Sequence, residues 1–220
     1  MRTVIFDLDG TLADTSGDLI AAANACFRAM GAGDVLDPVR DAGTAFHGGR
    51  AMLRLGFSRI GHDADEAAVD RHYDDLLAAY EAAIDVHTAL YPGAMEAVGA
   101  LSDAGYRVGI CTNKPEPLAE LLTTRLGVRD AFASLVGAGG LPRKPDAAPF
   151  VESVRRAGGD PARALLVGDT ETDLRTARAA GVPSVLVTFG PEAERVAALG
   201  PEALIGHFDE MPGVAARLLP

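Results

Sequence analysis

Val4-Ile5-Phe6-Asp7-Leu8-Asp9-Gly10-Thr11 decides how the whole chain is read. Three β-favouring apolar residues predict a short buried strand that runs into two aspartates separated by one leucine. In an extended chain residues i and i+2 point to the same side, so Asp7 and Asp9 crowd each other unless the backbone turns at Gly10. Two unit charges about 4 Å apart repel by about 4 kcal/mol at an effective dielectric near 20. A cation must therefore sit beside them, or one carboxyl must hold a proton. A divalent cation with one protonatable carboxylate meets both demands, and that pairing is where a phosphoryl-transfer site begins. The bland alternative is a strand end punctuated by acids, since Asp and Gly are common wherever a strand stops.

Working outward, Ala13 to Gly17 offers several helix N-caps, and an alanine-rich helical pattern follows from Leu19 to Met30, closed by Gly31. Helical signals at Ala51–Ile60 and Ala64–Ala83 show little β-character, so residues 14–88 read as a helical insertion. From Leu90 the pattern becomes repeated strand–helix units. Strands are expected at Arg107–Cys111, Ala133–Val136, Ala164–Val167, Val182–Val187 and Leu204–Ile205. Helices are expected at about Pro92–Ala104, Pro117–Leu126, Pro149–Ala157, Leu174–Ala180 and Pro212–Leu218. Such alternation predicts an α/β fold, a parallel sheet flanked by helices on both faces. Residues 1–13 and 89–220 form the core domain of this reading, and residues 14–88 the insertion. Ligands of such sheets bind beyond the strand C-terminal ends, at a topological switch point. Thr112-Asn113-Lys114 and Gly168-Asp169-Thr170-Glu171-Thr172-Asp173 fall at such ends, and Arg143-Lys144-Pro145-Asp146 precedes a helix.

These four stretches, in this order, resemble the four motifs of the haloacid dehalogenase (HAD) superfamily, with a Rossmann-like core and an inserted α-helical cap. The resemblance implies a Mg²⁺-dependent phosphomonoester hydrolase working through an aspartyl-phosphate. Asp7 is then the nucleophile and Asp9 the general acid and base. Thr112 and Lys144 bind the transferring phosphoryl oxygens. Asp7, the Asp9 carbonyl and Asp169 hold the metal, and Asp173 orients Lys144 or a metal-bound water. Asn113 is a further substrate-binding candidate. Taken singly, Thr112 could be a strand-end residue, Lys144 a surface charge, and Asp169 and Asp173 helix-capping acids. Jointly those readings need four unrelated coincidences at one sheet edge. Lys114 stands open between a solvated loop charge and a contact.

Dehalogenation needs neither an acid at Asp9's place nor a cation, so Asp9, Asp169 and Asp173 argue against it. Phosphonate cleavage in the superfamily needs a lysine from the insertion, and residues 14–88 contain none. Thr112-Asn113-Lys114-Pro115 and Gly139 to Asp146, with Ala148-Pro149-Phe150, most resemble the bacterial phosphoglycolate phosphatases. The departures are Ala138-Gly139-Gly140, where that family often carries an acid after its glycines, and Ala147 for a frequent proline. The expected substrate is 2-phosphoglycolate or a similar small phosphorylated acid. A sugar-phosphate phosphatase or β-phosphoglucomutase-like enzyme uses the same core. A phospho-accepting signalling module shares an aspartate, a hydroxyl, a lysine and Mg²⁺, but places its acids and nucleophile on different strands. In the cap, two glycines in Phe46-His47-Gly48-Gly49-Arg50 would let backbone N–H groups meet an anion while Arg50 or His47 grips a carboxylate. A tight helix–helix turn explains that stretch equally well.

Composition narrows the partners. The net charge of -11 disfavours nucleic acid and anionic membrane surfaces. The 48% apolar and 23% charged content is that of an ordinary folded chain, and 220 residues suffice for a full core as monomer or homodimer. Cys26 and Cys111 form no metal or disulfide pattern, and no apolar leader precedes the first strand, so a cytoplasmic location is expected. Of 20 basic residues only Lys114 and Lys144 are lysines, a sign that compact ammoniums are wanted there.

Overall fold

The computed structural model describes residues 1–61 and 66–220. In chain order the elements are β1 (Thr3–Phe6), β2 (Ala13–Asp14), α1 (Ser16–Ala29), α2 (Ala42–Phe46), α3 (Gly49–Arg59), α4 (Glu66–Ala82), β3 (Ala89–Leu90), α5 (Ala94–Asp103), β4 (Arg107–Pro115), α6 (Glu116–Arg125), β5 (Ser134–Ala138), α7 (Ala148–Arg156), β6 (Ala164–Gly168), α8 (Glu171–Ala180), β7 (Ser184–Val187), α9 (Ala193–Ala197), β8 (Ala203–Ile205) and α10 (Met211–Leu218). Two compact units result, Met1–Ala13 with Leu90–Pro220, and Asp14–Ala89.

The first unit is built on a six-stranded parallel sheet in the order β5-β4-β1-β6-β7-β8. β1 is central because all four of its residues are buried, with apolar Val4, Ile5 and Phe6 feeding both faces. Full burial of each such side chain contributes about 1.5–3 kcal/mol, so this short strand is well anchored. Ile5 packs in one cluster with Cys111, Phe150, Val154, Leu166 and Ala177, from β4, α7, β6 and α8. After β1 the strands fill one side of the sheet through β4 and β5, and the other through β6, β7 and β8. β1 thus sits at the switch point, and its C-terminal end lies between the ends of β4 and β6. Phe6 pairs with Ile110 and with Val167, so Asp7 emerges level with Cys111 and Gly168.

β4 runs farther than the expected Arg107–Cys111 and carries Thr112-Asn113-Lys114 on extended backbone rather than in a loop. Its register with β5 breaks between Cys111 and Pro115, which lets the strand leave the ladder while staying extended. α8 begins three residues before the expected Leu174, because Thr170 and Asp173 form a capping box.

The second unit is helical. Residues Ser16 to Asp18 already belong to α1, ahead of the expected Leu19 start, and the Asp18 carboxylate accepts the backbone N–H groups of His87 (2.9 Å) and Thr88 (2.9 Å). Asn24 closes the following loop, accepting from the Val35 and Leu36 N–H groups and donating to Leu36 O. α4 is described from Glu66, so Ala64, expected as its start, lies outside the described residues. No helix among the described residues is long and apolar enough to cross a membrane. Cys26 and Cys111 are buried free thiols.

Candidate active site

Asp7 extends β1 by one residue, its N–H donating to Val167 O at 2.8 Å. The chain then curls at once. The Leu8 N–H donates to Asp7 Oδ1 at 2.8 Å, those of Leu12 and Ala13 both donate to Leu8 O, and Gly10 takes φ +78°. A side chain at Gly10 would strain this turn. The crowding that an extended Asp-Leu-Asp would impose is thereby relieved within three residues of the strand end.

Lys144 sits between two carboxylates, with Nζ 2.9 Å from Asp7 Oδ2 and 2.7 Å from Asp173 Oδ1. Asp173 is itself fixed, because Oδ2 accepts from the Thr170 N–H (3.1 Å) and hydroxyl (2.7 Å) at the head of α8. One carboxylate therefore caps a helix and orients an ammonium. Asp169, at the end of β6, accepts the Thr11 hydroxyl on Oδ1 at 2.9 Å. Thr112 is buried beside them, and its Oγ accepts the Lys114 N–H at 3.2 Å. Lys114 places Nζ 2.8 Å from Asp9 Oδ1, with its side chain only 4% exposed. That removes the solvated-loop reading of Lys114.

Carboxylate oxygens of Asp7, Asp169 and Asp173 lie within 4.8 Å of one another. Burial pushes Asp7 up to about 6, with Lys144 pulling it down and Asp173 and Asp9 adding to the rise. Burial also raises Asp169 well above the usual carboxylate range, reinforced by Asp173 and Asp7 and opposed by the Thr11 hydrogen bond. For Lys144 burial works against the charge, but Asp173 and Asp7 outweigh it and its pKa rises, so it is an ammonium at any working pH. Cys111 lies beneath this group; burial pushes its thiol up to about 12, which leaves it inert.

The charge balance tests whether a cation suits the pocket. With all four ionised, Asp7, Asp9, Asp169 and Asp173 would carry two more charges than the ammoniums of Lys114 and Lys144 supply. A divalent cation matches that excess, and an all-oxygen carboxylate set suits Mg²⁺. Burial is the main cause of the raised Asp7 and Asp169, and the neighbouring carboxylates add to it.

Of the remaining candidates, Asn113 and Arg50 have side-chain partners of their own. Asn113 uses both ends of its amide on the Lys144 backbone, donating to Lys144 O at 3.0 Å and accepting its N–H at 2.9 Å. Its amide thus holds the backbone of the lysine. Arg50 pairs with Asp70 and stacks over the Tyr73 ring at 4.4 Å, both on α4. Gly48 has φ +92°, and a Cβ at Gly49 would stand 3.0 Å from Leu76 and 3.1 Å from Tyr73. Gly49 thus lets α3 approach α4 closely, and Gly48 takes the left-handed turn before it. Half-buried His47 closes α2, its N–H donating to Thr44 O.

Sequence reasoning passed over Thr11, Thr170 and Gly168. A Cβ on Gly168 would lie 2.3 Å from Asp173 Cβ and Cγ. A glycine just before Asp169 was visible in the sequence, but not the side chain that needs its space.

Acids and two lysines thus converge at the C-terminal edge of the parallel sheet of an α/β core. The chain belongs to the haloacid dehalogenase-like hydrolases, a family that matches residues 1–181. It is similar to proteins named phosphoglycolate phosphatase: 40% identical to that of Mesorhizobium japonicum (98% of this chain, 96% of the relative) and 35% to that of Caulobacter vibrioides (99% and 92%). A predicted phosphoglycolate phosphatase from Haemophilus somnus, at 24% identity, shares the fold with TM-score 0.85 over 97% of each chain. The chain is a HAD-type phosphatase, phosphoglycolate phosphatase-like in sequence.

Proposed function

We propose that this enzyme is a Mg²⁺-dependent, cytoplasmic phosphomonoesterase acting on a small phosphorylated acid, with 2-phosphoglycolate the leading substrate. The observation that carries the reaction is the buried grouping of Asp7, Lys144 and Asp173, with Asp9 two residues after the nucleophile and Asp169 at the end of the neighbouring strand β6. The relatives' shared name points to the substrate.

A carboxylate oxygen of Asp7 attacks phosphorus in line, the bond from phosphorus to the ester oxygen breaks, and Asp9 gives its proton to the departing alkoxide. Water then attacks the aspartyl-phosphate while Asp9 takes the water's proton, returning Asp7 and releasing inorganic phosphate. Thr112 donates its hydroxyl, and Lys144 an ammonium proton, to the equatorial oxygens, where charge is spread in the transition state. Asn113 and Asp173 keep Lys144 in place through its backbone and its ammonium. Asp7 and Asp169, with the Asp9 carbonyl, would hold the cation, which when bound neutralises phosphoryl charge. The helical unit, residues 14–89, would serve as the cap domain of this reading.

Steady-state turnover across phosphomonoesters tests the assignment, with Mg²⁺ supplied and then removed by chelator. A kcat/KM for 2-phosphoglycolate at least tenfold above those for hexose phosphates is expected, with activity lost on chelation and restored by Mg²⁺. Equal weak turnover of every ester would remove the substrate assignment. Asp7→Asn turning over at the normal rate would remove the mechanism.

A further inference from the structure

Lys114 has no role in the chemistry just described, yet it is one of two lysines in a chain that otherwise uses arginine, and its ammonium is buried against Asp9. Removing an ammonium from water costs several kcal/mol unless hydrogen-bonding partners replace it. We propose that Lys114 is the residue that reads the acid group of the substrate: its ammonium bridges Asp9 and a carboxylate carried one carbon away from the ester oxygen. The inference rests on the phosphorylated-acid reading above and deepens it.

Reach decides which group can meet that carboxylate. The general acid must approach the ester oxygen to about 2.6–3.2 Å, since it delivers the leaving-group proton. Lys114 Nζ is 2.8 Å from Asp9 Oδ1, so it lies on the leaving-group side of the reacting phosphorus. In a phosphorylated 2-hydroxy acid a single carbon separates the ester oxygen from the carboxylate. Bond lengths of about 1.2–1.5 Å then hold the carboxylate oxygens within roughly 3–4 Å of the ester oxygen. An ammonium carries three donors in a rotatable fan, so one proton can stay on Asp9 while another meets that carboxylate. A flat guanidinium is less suited to bridging two acids that are not coplanar.

Lys144 and Arg50 already have acids of their own. Lys144 lies between Asp7 and Asp173, and Arg50 is held by Asp70 and Tyr73. The backbone of Lys114 is also steady, its N–H bonded to the Thr112 hydroxyl oxygen. Phosphoryl recognition at Thr112 and acid recognition at Lys114 are thereby two residues apart on one strand, which fixes their separation to that of a short substrate.

Calorimetry on the Mg²⁺-loaded protein can separate binding from turnover. The probes are 3-phosphonopropionate, in which a methylene replaces the ester oxygen of phosphoglycolate, and propylphosphonate, which lacks the carboxylate. Wild type is expected to bind the acid-bearing probe about 10- to 100-fold more tightly, as a charge-assisted hydrogen bond provides. Lys114→Met should shrink that ratio below threefold, and Lys114→Arg should restore part of it. The kcat/KM ratio of 2-phosphoglycolate to ethyl phosphate should fall in parallel, while ethyl phosphate turnover also drops because Asp9 loses a neighbour. Lys114→Gln serves if the methionine variant does not fold, as judged by circular dichroism. A preference retained without the ammonium overturns the inference and leaves the substrate reading standing. No preference in wild type removes the substrate reading, and the inference with it.

Discussion

Replacing Gly168 by alanine adds one methyl group at the point where the site has no room for it. An ideal Cβ there stands 2.3 Å from Asp173 Cβ and Cγ and 2.6 Å from its Oδ2. Carbon atoms rest about 3.5–4.0 Å apart, so Asp173 must retreat by more than an ångström or β6 must yield. Neither is easy: Asp173 is 1% exposed and tied at three places, to the Thr170 N–H, the Thr170 hydroxyl and Lys144 Nζ, while Gly168 pairs with Leu186 of β7. Overpacking of this kind costs about 1–3 kcal/mol. Weakening a hydrogen bond to a charged group adds about 1.5–3 kcal/mol, so a total loss of about 2.5–6 kcal/mol is expected. Lys144 would lose its fixed position, and a misplacement near 1 Å at a reacting centre costs on the order of 10²-fold in rate. Denaturant unfolding and kcat should be measured beside Gly140→Ala, since a Cβ at Gly140 meets nothing within 4 Å. If Gly168→Ala matched Gly140→Ala in both measurements, the claim that Asp173 and Lys144 are locked by this contact would be refuted.

Asn113→Ala removes both hydrogen bonds that hold the Lys144 backbone, at about 0.5–1.5 kcal/mol each, and should reduce kcat about tenfold or more while Mg²⁺ affinity, read by calorimetry, changes little. A parallel fall in Mg²⁺ affinity would show that Asn113 supports the whole pocket instead. In the helical unit Asp41 accepts from Arg59 Nη1 and Nη2 at 2.5 and 2.6 Å, and that hydrogen bonding, against an opposing burial effect, lowers its pKa to about 2. Because the folded pKa lies below the ordinary 3.8, the pair contributes fully above pH 4 and is lost as the pH falls through 3.8 to about 2. The contribution is about 2 kcal/mol at most, reduced by solvent screening at the quarter-exposed Arg59. The denaturation midpoint of Arg59→Met should therefore vary less than wild type between pH 4.5 and pH 2.5, about the window of that titration. Parallel curves would count against the pair.

Much of the core was legible because its signals are local. The apolar run Val4 to Phe6, the strand–helix alternation after Leu90 and the helix-closing Gly31 and Gly127 each state their own geometry, and the sheet follows. Element ends were less legible where a side chain overrides propensity. Thr170 with Asp173 moved the start of α8, and a register break carried β4 on to Pro115. In the site the residue types were readable, but their partners were not. Asn113 and Lys144 are 31 positions apart, and nothing in either motif says that one clamps the other's backbone. Arg50 offered a cation for an anion, and the unread fact was Asp70, one helix later.

That difference also explains why lysine matters here. Arginine would supply the same charge, yet Lys144 serves two acids around a point rather than across a plane, as Lys114 would with Asp9 and a substrate carboxylate. Lys144 does so between Asp7 and Asp173, with oxygens at 2.9 and 2.7 Å. A guanidinium bonds best to one coplanar carboxylate, the geometry that Arg54 adopts with Glu66 at 2.7 and 2.7 Å on the surface of the helical unit. The chain thus uses arginine where a pair only has to be held, and keeps its two lysines where carboxylates converge from β1, β6 and α8. Lys144→Arg is accordingly expected to lose most turnover even though charge is conserved. Retained wild-type kcat in that variant would show that charge alone, without the compact ammonium, suffices at Asp7.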